Sequence, residues 1–329
     1  MTTKKSHLDL IADCDSFPYS TPDSAAYDQH ISTYYHLRVA AYPDITLGFL
    51  LPSVALTLSN LPDWKVSSEQ DDVRTVVLLN GDNEEERSKI VAKTVLAMRE
   101  TGHWKVLAKW RNELYAVYGP GGEHLFSIER SASPLFGVVT YGVHLTCYTK
   151  TKKSSTGKQE EELKIWVPRR AKTKQTYPSM LDNTVAGGIA AGEQPFECLV
   201  REAMEEASLP EDISRQACAA GCVTYFYIRD SRAGGETGLL QPECQYIYDL
   251  DLSDHPEVEC KPNDEEVEGF ELMDVKDVLE ALGRAEFKPN CAVVMIEFLI
   301  RQGVITRENE RDYAEIVARC HRRLEFPMG

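Results

Sequence analysis

The chain has 329 residues, of which 43% are hydrophobic and 27% are charged, and this length is sufficient for two globular domains. Its 52 acidic residues outnumber its 36 basic residues, which gives a formal net charge of −16. We therefore expect no nucleic-acid partner, because a strongly acidic chain repels the phosphate backbone unless a local basic patch overrides that repulsion.

The sequence also disfavours the membrane and secretory classes. No apolar run approaches the length of a membrane span, and the N-terminus lacks the apolar segment of a secretory signal. The nine cysteines are scattered, odd in number and without a C-x-x-C pair, which indicates free thiols in a reducing compartment. We predict no membrane partner and a cytoplasmic location, with an organellar targeting signal left open as the alternative.

Residues 1–135 are predicted to form a smaller α/β accessory domain, because helical stretches alternate with short β-branched or aromatic runs. The predicted helices span residues 23–39 and 84–100, and the predicted strands span residues 73–79, 104–110 and 114–118. No clustering of catalytic residue types is visible in this part of the chain. We assign it no catalytic role, and whether it contacts a substrate stays open.

Residues 136–329 are predicted to form a second domain. The predicted strands span residues 137–148, 163–167, 223–228, 245–252 and 270–273, with a polar hairpin at 149–161 between the first two. A helix is predicted from Pro195 onwards, and further helices over residues 274–282, 293–302 and 307–324. Strands before and after a central helix, closed by C-terminal helices, predict a mixed sheet sandwiched between helices.

The most informative segment is residues 187–209, which has the pattern G-x5-E-x7-R-E-x-x-E-E. Its six fixed positions are Gly187, Glu193, Arg201, Glu202, Glu205 and Glu206. The last three carboxylates share one face of the predicted helix, opposite an apolar arc. Like charges so close together repel each other unless a cation neutralises them, and oxygen ligands suit Mg²⁺, with Mn²⁺ as the alternative. The pattern therefore predicts a metal site at which the bound metal also coordinates substrate phosphate.

Other candidate site residues lie on both sides of this segment. A basic cluster precedes it, and its guanidinium and ammonium groups could bind substrate phosphate: Arg169, Arg170, Lys172 and Lys174. An acidic loop follows the segment, and Glu266 is our candidate there for a further metal ligand or water-activating base. Trp166 and Tyr177 are candidates for stacking on a substrate ring, although each is better explained as a core residue.

The segment at 187–209 resembles the Nudix box, the signature of hydrolases that cleave diphosphates linked to another group. The resemblance implies that Gly187, Glu205 and Glu206 bind the metal. It also implies that Glu202 orients or deprotonates the attacking water, with Glu266 as the rival base, and that Glu193 and Arg201 hold the carboxylates in position. One departure is Ser208, which stands where the box usually has a glycine that ends the helix.

Further segments resemble one Nudix subgroup over nearly the whole chain. They are FSIERSASPLFGVVTYGVHL, WVPRRAKTKQTYPSMLDNTVAGGI, LLQPECQYIYDLDL and FKPNCAVVMIEFLIRQGVIT, together with the box ending EEASL. These are similar to fungal and plant Nudix proteins related to the domain fused to thiamin pyrophosphokinase in some fungi. The resemblance implies a Nudix α/β/α sandwich that hydrolyses thiamin diphosphate and its damaged forms, oxothiamin and oxythiamin diphosphate, to monophosphates.

Two other functions remain open at the level of sequence. One is a Nudix hydrolase of a different small substrate, such as a nucleoside-diphosphate derivative. The other, from a different functional class, is a ligand-binding sensor without catalysis, which the three intact carboxylates disfavour because binding alone does not need all of them. The sequence leaves the substrate ring, the general base and the oligomeric state undetermined.

Overall fold

A computed structural model describes residues 4–20, 24–155, 158–174, 176–263 and 265–329. The first part of the chain contains helices α1 to α5 at His7–Cys14, Ser24–Ile31, Pro52–Leu58, Glu84–Glu100 and Ser133–Phe136. Its strands β1 to β6 span Tyr35–Val39, Gly48–Leu50, Trp64–Val66, Thr75–Leu78, Leu114–Tyr118 and His124–Glu129. The first four strands form a sheet in the order β2-β1-β4-β3, and β5 pairs with β6.

The second part of the chain forms a mixed six-stranded sheet. Strands β7 to β12 span Thr140–Ser155, Lys158–Arg170, Val185–Gly188, Cys218–Ile228, Leu240–Asp251 and Val267–Asp274. Helices α6 to α10 span Pro195–Ala207, Glu211–Ser214, Val275–Gly283, Pro289–Arg301 and Tyr313–Cys320. The strand order is β10-β11-β7-β8-β12, with β9 paired to β7, and β11 runs parallel to β7 while the other pairs are antiparallel.

Helices cover both faces of this sheet. Successive side chains of a strand point to opposite faces, and here apolar side chains occur on both. Tyr225 and Ile247 face a core shared with α8, α9 and α10. Their strand neighbours Phe226 and Tyr248 face a separate core that includes the buried side of α6. The predicted α/β/α sandwich with a mixed sheet is therefore confirmed. No helix in the described ranges combines the length and the apolar character needed to cross a bilayer.

Helix α1 packs on the second part of the chain, although it precedes the first sheet. Leu10, Ile11 and Cys14 belong to the same core as helices α8 to α10. A separate apolar core holds the first sheet, α4 and the β5–β6 pair together. The division of the chain at residue 136 remains a prediction, and the structure shows that the N-terminal helix contributes to the core of the second part.

Two predicted elements in the first part are wrong. The helix predicted over residues 23–39 ends at Ile31, and Tyr35–Val39 is a strand in which alternate residues are buried. The strand predicted over residues 104–110 is a 3₁₀ helix, Lys105–Lys109. Its first turn is held by the Glu236 carboxylate, which accepts bonds from the backbone N–H groups of Lys105 and Val106 at 2.5 and 3.0 Å.

Other element predictions are confirmed or need new bounds. The helix at Glu84–Glu100 and the strand at Leu114–Tyr118 agree with the prediction at both ends. The hairpin predicted at 149–161 forms as a continuation of β7 and β8, with residues 156 and 157 outside the described part. The final helix is shorter than the predicted 307–324 and spans only Tyr313–Cys320.

Candidate active site

Helix α6 carries the predicted carboxylates on the face turned away from the core. Pro195 occupies the first turn, where its missing N–H costs no hydrogen bond. Cys198, Leu199 and Ala203 are fully buried and fix the helix on the sheet. The opposite face therefore presents Glu202, Glu205 and Glu206 beside strand β9, which ends at Gly188.

Arg201 bonds to three carboxylates of the box. Its Nε and Nη2 atoms donate to the two oxygens of Glu193 at 2.9 and 3.1 Å. Its Nη1 atom donates to Glu202 at 2.9 Å and to Glu205 at 3.0 Å. Although burial alone would raise the pKa of Glu193, these bonds and one from the Ala190 N–H hold that pKa below its usual value. Arg201 thus fixes the carboxylates relative to one another.

Glu206 is the most deeply enclosed carboxylate of the box. Its Oε2 atom accepts a 2.9 Å bond from the Ala186 N–H of strand β9. Burial, followed by the nearby charge of Glu202, raises the pKa of Glu206 well above its ordinary value. Burial also raises the pKa of Glu202, against the opposing effect of Arg201. Two neighbouring carboxylates that resist ionisation in this way would be stabilised as anions by a bound cation.

Gly187 allows Glu202 to lie directly against the strand. A Cβ atom at position 187 would fall 2.3 Å from the Cδ and Cγ atoms of Glu202, so any other residue there would displace that side chain. Gly187 pairs with Val143 on the central strand β7, which fixes the backbone of the site. The glycine of the box is thus required by close packing.

The donor set fits a hard divalent cation in its chemistry, because Glu202, Glu205 and Glu206 offer only oxygen ligands. Within the part of the chain that the structure describes, no three acidic, histidine or cysteine side chains are already assembled as a metal-binding group. Glu205 is half-exposed and bonded to Arg201. The partly buried Glu202 and Glu206 are therefore the best-placed ligands. Glu205 would have to exchange its bond to Arg201 for one to the metal.

The four cations of the predicted phosphate cluster do not converge. The Arg170 guanidinium is bound by the Asp182 carboxylate at 2.6 Å and by two backbone carbonyls. Arg169 donates to the Ser179 carbonyl at 2.9 Å, and the largely exposed Lys172 lies 3.8 Å from Glu268. Lys174 forms an ion pair with Glu266. Arg170 is therefore occupied in holding the loop 176–182. Arg170 and Lys174 line one small crevice, whereas Arg169 and Lys172 do not line it.

Glu266 reaches the same small crevice as Glu206. The crevice is also lined by Arg170, Lys174 and Asp182. Burial would raise the pKa of Glu266, but the hydrogen bond from Lys174 and the charges of Lys174, Arg111 and Arg170 together outweigh burial and lower that pKa. An ionised carboxylate next to Glu206 is compatible with the predicted role of Glu266 as a metal ligand or base, which remains a proposal.

A cavity of about 250 Å³ adjoins the glycines of the box. Gly187 and Gly188 form part of its wall, and strands β7, β10 and β11 and the start of α9 contribute further lining residues. Tyr177 lies on this wall, and its hydroxyl donates to Tyr227 at 3.1 Å. Trp166 is half-buried in the core beside α6 and does not line the cavity. Of the two ring-stacking candidates, only Tyr177 faces the cavity.

The first part of the chain supplies cavity residues that sequence reasoning missed. Tyr115 and Arg130 line the cavity, together with Lys109, Arg111 and the segment Ser131–Pro134. The available signal was the segment FSIERSASPLFGVVTYGVHL, which had been singled out only for its resemblance. Nothing in its residue types indicated that it would lie beside the box, because that proximity depends on how the two parts of the chain pack.

Comparison with known families divides the chain into two matched regions. Residues 33–140 match a domain of unknown function, DUF4743, and residues 156–291 match the NUDIX domain. The second match contains helix α6, with Glu202, Glu205, Glu206 and Arg201.

Two curated relatives are similar over most of the chain. The uncharacterized protein YJR142W of Saccharomyces cerevisiae is 44% identical over 223 residues, which are 66% of this chain and 63% of the yeast protein. Nudix hydrolase 20, chloroplastic, of Arabidopsis thaliana is 33% identical over 241 residues, which are 73% of this chain and 59% of the plant protein. The chain thus spans about three fifths of the length of these relatives. Among solved structures, DR0079 from Deinococcus radiodurans aligns over 64% of this chain and 100% of its own, with 20% identity and a TM-score of 0.32.

Proposed function

We propose that the protein is a metal-dependent Nudix hydrolase of a small diphosphate, because residues 156–291 match the NUDIX domain and the chain is similar to a plant Nudix hydrolase. The observation that carries this proposal is the partly buried pair Glu202 and Glu206 beside the glycines that line the cavity. A binding protein would gain nothing from confining two carboxylates whose ionisation is disfavoured. A hydrolase needs them to hold a cation and to accept a proton.

The substrates we propose are oxothiamin and oxythiamin diphosphate, cleaved to the monophosphate and inorganic phosphate. This choice is supported by the resemblance of several segments to the thiamin-related Nudix subgroup. Tyr115, Tyr177 and Tyr227 on the cavity wall provide aromatic surface for a ring, and the cavity cations suit the diphosphate. A nucleoside-diphosphate-linked compound is the competing substrate class, because aromatic and cationic groups would accommodate it as well.

Each residue of the box has a proposed role. Glu202, Glu205, Glu206 and the Gly187 carbonyl would hold Mg²⁺ or Mn²⁺, which when bound supplies positive charge that offsets the charge of the diphosphate oxygens. Water attacks the terminal phosphorus, the anhydride P–O bond breaks, and the monophosphate leaves. Glu202 accepts the proton of the water, with Glu266 as the rival base. Glu193 and Arg201 hold the carboxylates in position.

Phosphate release from a substrate panel tests this proposal. The panel contains oxothiamin, oxythiamin and thiamin diphosphates and several nucleotide sugars, each assayed with Mg²⁺ and with a chelator. A Mg²⁺-dependent preference for the damaged thiamin diphosphates supports the full proposal. Hydrolysis of nucleotide sugars alone would retain the diphosphate chemistry and reject the thiamin substrates. Binding without hydrolysis across the panel would favour the sensor function instead.

A further inference from the structure

Two close contacts hold strand β5, in the first part of the chain, against the beginning of the box. A Cβ atom at Gly188 would fall 2.1 Å from the Tyr115 hydroxyl, so the glycine is what lets β5 approach. The Ala191 N–H donates to the Leu114 carbonyl at 2.7 Å, just beyond the same turn. The wall that Tyr115 and its neighbours build around the cavity is therefore held in fixed relation to the carboxylates of α6.

Arg130 places a cation in this wall. It follows strand β6, and its backbone N–H donates to the Glu113 carbonyl at 2.8 Å. Its guanidinium bonds to the Glu113 carboxylate at 2.8 Å and lies 5.6 Å from the centre of the Tyr115 ring. The side chain still keeps 41% of its surface accessible. It is also close enough to Glu202 for the two charges to interact.

The cavity is cationic although the chain is strongly acidic. Of the described side chains that line it, five are cationic and only Glu243 is a carboxylate. The cations are Lys109, Arg111, Arg130, Arg229 and Lys288. The first three come from the part of the chain that precedes the NUDIX match. Such a local excess of positive charge in a chain of net charge −16 indicates that the cavity receives an anion.

Two polar atoms in the same wall lack the partners that buried groups normally have. Ser131 Oγ and Arg229 Nε are both buried, and neither has a hydrogen-bond partner among the residues that the structure describes. Buried donors without partners are rare in folded proteins and often mark a site where a further group binds. Ser131 directly follows Arg130, and both residues line the cavity.

The basic cluster upstream of the box is a poorer candidate for binding phosphate. Arg170 is committed to Asp182 and Lys174 to Glu266, and none of the four cations of that cluster lines the cavity. By contrast, Arg111 is exposed on the cavity wall and acts electrostatically on Glu266. Arg111 is therefore close enough to interact electrostatically with Glu266. Arg130 is close enough to interact in the same way with Glu202 of the box.

We propose that the DUF4743 region supplies the phosphate-binding wall of the substrate cavity, with Arg130 as its principal cation and Arg111 as the second. This inference rests on the proposed hydrolase function and extends the active site beyond the NUDIX match. Guanidinium groups bind phosphate oxygens through paired, charge-assisted hydrogen bonds. A doubly charged phosphate group competes well with the single carboxylate of Glu113 for Arg130.

The direct test is the affinity of the full-length protein for inorganic pyrophosphate, measured by titration calorimetry in the presence of EDTA. Arg130→Gln should weaken binding about tenfold or more, and Arg111→Gln should weaken it about threefold, because charge-assisted bonds are lost. Arg99→Gln is the matched control. It removes the same charge from α4 in the same region, where Arg99 lies over Trp110 outside the cavity, and should leave the affinity within about twofold.

Glu113→Gln is expected to change the pyrophosphate affinity in the opposite direction. Removing the carboxylate that now holds Arg130 should strengthen pyrophosphate binding severalfold, which loss of folding could not mimic. Wild-type affinity in Arg130→Gln, or no pyrophosphate binding by the wild type, would overturn the proposal. Failure of the hydrolase function alone would be seen separately. In that case the wild type would turn over no panel compound, while its pyrophosphate affinity would still fall in Arg130→Gln.

Discussion

Arg201 holds the active-site carboxylates in a single network. The Nη1 atom is shared between Glu202 and Glu205, while Nε and Nη2 form a fork on Glu193. Planar fork geometry is a property of guanidinium, and an ammonium group supplies only a point charge. The residue therefore sets the relative position of the three carboxylates in addition to balancing their charge.

Replacing this fork with a point charge should impair turnover without unfolding the protein. We expect Arg201→Lys to lower kcat by about 10- to 100-fold, as is typical when a group that orients metal ligands is changed. Arg215→Lys is the control, because Arg215 forms a similar fork on Glu197 of the same helix, at 3.0 and 2.9 Å, away from the site. Equal kcat values for the two variants would argue against the positioning role of Arg201.

Single-residue predictions from the sequence were sound where local spacing determines the outcome. Helical periodicity alone places Glu202, Glu205 and Glu206 on one face, and the structure has that arrangement. The partners of Arg170 could not be predicted in this way, because Asp182 reaches it only after the loop 176–182 folds back. Local charge indicates a possible phosphate contact but does not reveal which cations are already occupied.

At the scale of elements, helix α6 ends with an unusual residue. Ser208 has φ +54° and ψ +28°, a left-handed conformation that glycine adopts without a steric penalty. The Nudix box usually has a glycine at this position, where this chain has Ser208. The backbone of Ser208 nevertheless has the left-handed conformation that glycine favours. The serine is therefore accommodated at a cost in conformational energy.

Ser208→Gly should stabilise the protein. Relief of the left-handed strain outweighs the added freedom of the unfolded chain, and we expect a gain of about 0.5–1 kcal/mol in the free energy of unfolding. Urea denaturation measures the change. The matched control is Ser59→Gly at the end of α3, where φ is −60° and glycine should reduce stability. A loss of stability in both variants would show that the left-handed conformation of Ser208 carries no strain.

Elements were predicted well from sequence where a local pattern determines them. Helix α4 has an asparagine cap, three glutamates in its first turn and a buried apolar stripe, and its predicted bounds agree with the structure. The segment 104–110 has the composition of a strand, but contact with Glu236 fixes it as a 3₁₀ helix. That contact joins positions about 130 residues apart, so no local pattern contains it.

At the scale of the whole molecule, residues near both ends of the chain pack together on the second part of the chain. Asp15, which follows α1, is fully buried and accepts a 3.0 Å bond from the Phe226 N–H. The guanidinium groups of Arg322 and Arg319 donate to it at 3.2 and 3.3 Å, and Tyr19 donates through its hydroxyl. This network fastens the start of the chain to strand β10 and to the segment after α10.

Neutralising the buried carboxylate should destabilise the molecule strongly. Asp15→Asn leaves the buried Arg322 with less compensating charge, and we expect a loss of about 3 kcal/mol in the free energy of unfolding. Asp13→Asn is the control, because Asp13 is partly exposed and its ion pairs should contribute less than about 1 kcal/mol. Equal losses in chemical denaturation would contradict the anchoring role of Asp15.

The packing of the two parts of the chain could not be predicted from the sequence. The strand and helix patterns predicted a mixed sheet between helices, and the box predicted the catalytic helix. The position of Tyr115 against Gly188, and with it the cavity, depends on contacts between residues about 70 positions apart. The cationic wall of that cavity is therefore visible only in the folded molecule.

The central claim is that the α6 carboxylates support metal-dependent cleavage of a diphosphate. The most direct test is phosphate release from the best panel substrate by the wild type and Glu206→Gln, each with Mg²⁺ and with EDTA. Glu197→Gln, which removes an exposed carboxylate from the same helix, is the control. We predict turnover by the wild type and Glu197→Gln only with Mg²⁺, and none by a folded Glu206→Gln. Undiminished turnover by Glu206→Gln, or turnover that persists in EDTA, would contradict it.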